Sequence, residues 1–192
     1  MSLMSFSTSR RCAAALLATL GVPAPSAAAL DALPATPVGT PRDFDFEHGR
    51  WHTALRRRLR PLSGSDAWAG YAGTTQVHAV LGGRANLVEL DVSGPEGRLQ
   101  AVSLRLFDVR QQRWTLNFAS AASGTLATPM TGGFGGGPRG VFYSAETFEG
   151  RGILVRFAID AEGPDRCRFE QAFSADHGAS WEVNWIAVDT RA

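Results

Sequence analysis

From Trp51 onward the chain alternates apolar and polar residues with a period of two, broken at short intervals by turn residues. Ile153, Val155, Phe157 and Ile159 alternate against Leu154, Arg156 and Ala158, and Trp114, Leu116 and Phe118 alternate against Arg113, Thr115 and Asn117. A period of two sends successive side chains to opposite faces of a strand, so the first set of each pair is expected to face inward. The pattern predicts strands near 51–60, 68–79, 85–92, 98–107, 113–119, 140–144, 151–159, 166–174 and 181–188. The dividers, among them "LGGR", "SGPEG", "FEGR", "DAEGPD" and "SADHGAS", carry the Gly, Asp, Pro and Ser that hairpin loops need. No sustained helical period follows residue 30, apart from a single turn at 43–48. Nine or ten sequential hairpin-linked strands make an all-β, single antiparallel meander. Closing it into a β-barrel removes the exposed edges.

In the last two strands Phe169, Gln171 and Phe173 share a parity, as do Trp181, Val183 and Trp185. The expected inner wall is therefore Trp114, Phe118, Phe157, Phe169 and Trp185, interrupted by Gln76, His78, Asn86 and Gln171, with Thr53 facing the same way. An apolar lumen with a few convergent polar groups suits a small apolar or amphipathic molecule, and a filled barrel core shows the same pattern. The longest loop, 120–140, contains "GGFGGGPRG" and is expected either to gate the lumen or to be a plain excursion.

The first residues behave differently. Arg10 and Arg11 precede the uncharged run "CAAALLATLGVPAPSAAAL", too short to span a bilayer and ending in Ala27, Ala28 and Ala29. This predicts a signal peptide at 1–29, by the general or the twin-arginine route, and a periplasmic or secreted mature protein. A proline-rich linker over 30–42 leads to a barrel domain over 43–192. Loss of Arg10 and Arg11 takes the formal charge from +1 to about −1, which gives no electrostatic footprint for nucleic acid. No later apolar stretch is long enough for a membrane span.

All 19 basic residues are arginine, which excludes Schiff-base lysines, lysine general bases and a phosphate-loop lysine. Cys167 would be the mature chain's single thiol, so no internal disulfide is expected, and its alternation with Phe169 places it in the core. His48 and His52 would lie about 13 Å apart along a strand, too far to share one metal ion, and read as rim residues. Arg56, Arg58 and Arg60 share an outer, wet parity. Arg57 has the opposite one, and inside a lumen it needs a carboxylate, a carbonyl or an anionic ligand head group. "SADHGASW" at 174–181 is similar to the Asp-box turn of sialidase propellers but occurs once, and reads as a hairpin clamp in which Asp176 and Ser174 bond turn amides. The Gly-x-Gly-x-x-Gly at 135–140 lacks the strand-then-helix setting of a dinucleotide site.

Gly49-x-Trp51 at the start of the first strand, with Arg191 after the last, resembles the calycin superfamily. "FDFEHGRWHTALRRRL", "LRLFD", "TFEGR" and "EQAFSADHGASWEVNW" resemble a bacterial lipocalin-like family within it, to which no function is attached. The resemblance implies a plug in which Arg191 packs across the Trp51 ring beside Gly49. It supports the fold and says little of function. The expected function is that of an exported small-molecule binder with its ligand in the lumen. The alternatives are a barrel enzyme working through His78, Glu89, Asp91 or Tyr143, and a filled structural barrel. No catalytic residue, metal site or cofactor is assigned, because no nucleophile–base spacing or metal cluster stands out and "WEVNWIAV" offers haem iron no histidine.

Overall fold

The computed structural model describes residues 33–192; the expected signal peptide lies outside the described residues. A 3-10 turn at Asp45–Glu47 precedes ten strands: β1 (Gly49–Arg58), β2 (Trp68–Val80), β3 (Ala85–Gly94), β4 (Gly97–Asp108), β5 (Arg113–Ser120), β6 (Met130–Gly133), β7 (Arg139–Phe148), β8 (Arg151–Ala161), β9 (Arg166–Ser174) and β10 (Glu182–Arg191). They form a closed antiparallel barrel in which each strand pairs with its sequence neighbours and β10 pairs with β1. Turn chemistry sets the registers: Glu149 and Gly150 both take positive φ, 49° and 77°, in the two-residue link that pairs Phe148 with Arg151.

Registers and burial give every strand an inner and an outer face. The β1–β10 ladder aligns Trp51 with Arg191, Thr53 with Asp189, Leu55 with Ala187 and Arg57 with Trp185, all on the inner face. On β2 the buried positions are Ala69, Tyr71, Thr75 and Val77. Gln76 and His78 therefore face outward, which corrects the parity expected for that strand. Its small residues dilute the alternation, and Trp68, the residue that suggests the other phase, lies outside between Arg56 and Arg58, whose guanidinium carbons are 5.3 and 5.1 Å from its ring centre. In β10 a bulge at Asn184 breaks the expected set: Val183 pairs with outward Ala172, whereas Trp185 pairs with inward Gln171. Trp181 lies outside, 4.8 Å from the Arg156 guanidinium.

The two ends differ. At the end where β1 begins, the chain before the barrel runs across the opening: Gly39 N–H donates to Gln112 O and Gly135 N–H to Val38 O, each at 2.7 Å. Phe44, carried by this segment, enters the barrel and meets Trp114 and Phe134 edge-on at 4.8 and 5.2 Å. Trp51, Trp114 and Phe142 are completely buried beside it. Burying each such side chain contributes on the order of 1.5–3 kcal/mol.

The glycine-rich segment belongs to this closed end. Residues 130–133 form β6, which pairs Trp114 with Gly132 and Gly132 with Phe142. Residues 134–138 are the hairpin that follows, with Phe134 packed on Phe44, so the glycine run is no lid. The loop that borders the other end is 121–129, tied down by an Ala127 N–H to Phe118 O bond of 2.8 Å.

Candidate functional site

The inner wall falls into three levels. Lowest is a polar floor. Glu47, fully buried, receives both terminal nitrogens of Arg105, whose guanidinium lies 4.4 Å from the Phe44 ring centre. Beside it the Thr53 and Thr75 hydroxyls share a 2.7 Å hydrogen bond next to the buried Asp189 carboxyl, whose Oδ1 has no hydrogen-bond partner. Desolvation raises Asp189 to about 7, with the charge of Glu47 adding to the effect and the two threonines opposing it. Burial, then the charges of Glu47 and Asp189, push the Cys167 thiol far up, leaving it a neutral core side chain. Asn86 also faces inward here, 1% exposed, with neither amide atom partnered.

Above the floor, Leu55, Tyr71, Val88, Leu116 and Phe169 form a dry middle layer. Above that the barrel opens. Arg57, Trp185, Gln171 and Phe157 occupy one cross-strand row of the inner wall and are all half-buried. Phe118, paired with Ser103 on the inner face, is 40% exposed. An inward phenylalanine that exposed puts aromatic surface in reach of solvent at this end of the barrel. Met130, Phe173 and Glu146 complete this mouth. Glu146 accepts the Ser144 hydroxyl at 2.6 Å, and burial raises its pKa despite that bond.

Of the sequence-predicted lumen residues, the structure brings Phe157, Gln171 and Trp185 together in one row of the inner wall, with Phe118 inward on β5. Phe169 lies one layer deeper, and Asn86 at the floor. Trp114 is part of the closed end, its indole N–H donating to Thr40 O at 2.9 Å. Gln76 donates to Gly49 O at 3.0 Å from the outer wall. His78 and Glu89 stand 3.9 Å apart on that wall, each more than half exposed. Asp91 is outside as well, gripped by two Arg98 nitrogens, Nε and Nη2, and held below the usual carboxylate range by them. Tyr143 packs outside against Trp181 with ring centres 5.9 Å apart. The acid–base set for a lumen enzyme is thus placed outside the lumen. Concavities of about 520 and 620 Å³ lie on the outer wall around Ala54 and Ile186 and around Gln76 and Asp91, and bring no new chemistry together.

Glu146 and Ser144 escaped sequence reasoning because the predicted strand ended at 144, whereas β7 runs to Phe148. The alternation of Phe142, Ser144, Glu146 and Phe148 was the available signal. Among the described residues no three His, Cys, Asp or Glu side chains gather as a metal site, and no helix is long and apolar enough to cross a membrane.

No family model and no curated protein matches the chain. Solved structures similar to it include EF1p2_mFAP2b bound to DFHBI, with 7% identity and a TM-score of 0.44 over 79% of this chain and 98% of that one. A redesigned beta barrel, mFAP1, bound to DFHBI shows 9% identity and a TM-score of 0.42 over 78% of this chain and 99% of that one.

Proposed function

We propose that this protein binds a small apolar or amphipathic molecule in the upper half of its barrel, and that it does so outside the cytoplasm after removal of residues 1–29. The observation that carries the binding reading is the wet inner wall at the mouth: Phe118 faces inward and is 40% exposed, while Trp51 and Trp114 at the opposite end are wholly buried. A filled barrel buries its inward aromatics at every level. Here Trp185, Phe157 and Met130 are likewise half-buried on the inner face, with Gln171 and Arg57 in the same row as Trp185 and Phe157. Such a surface gains roughly 25 cal/mol for each Å² of apolar area that a ligand covers. The export reading rests on the basic start, apolar middle and alanine site of residues 10–29.

Titration with the neutral dye N-phenyl-1-naphthylamine tests the binding reading. The native protein is expected to enhance its fluorescence saturably, Phe118→Asp to weaken uptake roughly tenfold or more, and Leu104→Asp on the outer wall to leave it unchanged. Absence of saturable uptake by the native protein, or equal loss in both variants, removes the lumen as the site. N-terminal sequencing of protein recovered from the periplasm or medium tests export, with a first residue at 30 expected.

A further inference from the structure

We infer that the molecule held in the mouth is an anion, a carboxylate or sulfonate with an apolar body, and that Arg57 is the residue that holds its charge. The inference rests on the lumen reading above.

The observation is an arginine on the wrong side of the wall. β1 presents Arg56 and Arg58 outward, where they flank Trp68. Arg57, between them, points inward in register with Ala69 on one side and Trp185 on the other. The carboxylates nearest in sequence and at the start of β10 are already taken: Asp66 and Glu182 lie 2.9 and 3.8 Å from Arg58 nitrogens, and Glu182 also accepts the Leu62 N–H at 2.7 Å. Arg57 enters no ion pair or hydrogen bond among the described residues. Its one charge contact is the Tyr71 ring, 6.0 Å from the guanidinium carbon, at the outer limit of a cation–π interaction.

A half-buried guanidinium without an acceptor is disfavoured relative to its hydrated form, and a bound oxyanion restores what the lumen removes. Tyr71 and Gln171 carry two further donors on the inner wall, the first in the layer below. The Tyr71 hydroxyl is buried without a partner, and Gln171 is one strand beyond Trp185 on the same row. Guanidinium and amide on this row suit a two-oxygen head, while Trp185, Phe157 and Phe118 suit an aromatic or aliphatic body. The acid of the mouth, Glu146, sits on β7, four strands around the barrel from β1, and is satisfied by Ser144. It does not compete for Arg57.

The test uses two dyes with one aryl skeleton, 1-anilinonaphthalene-8-sulfonate and neutral N-phenyl-1-naphthylamine, on the purified protein. Arg57→Gln is expected to weaken the sulfonate roughly tenfold or more and the neutral dye less than about twofold, since a charged hydrogen-bonding partner is lost for one probe only. Arg57→Lys keeps the charge and retains most of the sulfonate affinity. Arg56→Gln, the same change in net charge on the outer wall, leaves both dyes alone. Equal effects of Arg57→Gln on the two dyes, or none on either, overturn the anion site while leaving the lumen reading standing. If neither dye binds the native protein, the lumen reading falls, and the anion site with it.

Discussion

Arg191 sets its guanidinium carbon 3.8 Å from the centre of the Trp51 indole, directly across the β1–β10 ladder, so the last strand is locked over the first. The same guanidinium donates to His48 O at 2.7 Å and to Phe46 O and Pro164 O at 2.9 Å, while the Trp51 indole N–H donates to Glu47 O at 2.7 Å. One contact thus joins both ends of the domain to the segment that closes the barrel. This is the pairing that the Gly-x-Trp resemblance implies, with Gly49 at a φ of 117° that a side chain would strain.

Removing the indole leaves a cavity at a wholly buried position. Trp51→Ala is expected to lower stability by about 3–5 kcal/mol. Arg191→Ala should lower it by about 2–3 kcal/mol, because several hydrogen bonds to carbonyls go with the cation–π contact. Arg191→Lys should recover less than half of that, since an ammonium cannot span three carbonyls in a planar fork. Urea denaturation midpoints measure all three; an unchanged midpoint for Trp51→Ala contradicts the plug.

The Glu47–Arg105 pair makes a second, distinct demand. Both side chains are essentially without water, so either charge alone is stranded. Glu47→Gln is expected to destabilise by about 3–5 kcal/mol, whereas the double change Glu47→Leu, Arg105→Met should recover most of the loss, because two apolar groups need no mutual compensation. A double mutant as unstable as the single one argues against this account.

Most of the barrel could be read from alternation, and the exceptions have physical causes. Ile153 to Ile159 and Trp114 to Phe118 face as their parity requires because bulky residues keep a single phase. β2 carries small residues on both faces, so Gln76 and His78 were assigned to the wrong one. β6 is four residues of Met, Thr and two glycines; its partners Trp114 and Phe142 make it a strand, and nothing in its own composition does. The bulge at Asn184 reverses phase within one strand, which a periodic reading cannot detect. Phe118, Phe157, Phe169 and Trp185 were legible as inward positions. Which arginine lacked a partner was not, since that depends on Arg58 taking both Asp66 and Glu182.

Cys167 provides a check on the closed lower half. It is wholly buried against Asp189 on the inner wall, and both desolvation and neighbouring acids keep the thiol protonated. A disulfide reagent is expected to leave the native protein unmodified and to label one thiol per mature chain after unfolding. Raising the pH from 7 to 9 should not open the native site to reagent, because the thiolate remains disfavoured until the barrel opens. Rapid labelling of folded protein contradicts this placement.

Asp189 makes stability depend on pH in the opposite sense to an ordinary surface carboxylate. Its carboxyl, ordinarily near 3.8, is raised to about 7 in the folded barrel, chiefly by desolvation. Between those values the folded state holds a proton that the unfolded chain has released, so stability falls as pH rises through the window and levels off above about 7. Three pK units correspond to at most about 4 kcal/mol. Glu47, Arg105, Cys167 and Arg191 surround this floor, and Glu146 at the mouth is raised as well, so the total slope belongs to more than one group. The difference between the native protein and Asp189→Asn isolates one of them. Asparagine keeps the shape of the side chain beside Thr53 and Thr75, but has no proton to release. Asp189→Asn should therefore be close to the native protein in stability at pH 5 and more stable at pH 8, with midpoints from denaturation at both pH values as the measurement. Parallel pH profiles for the two proteins would show that Asp189 is ionised in the fold, and that the floor compensates its charge.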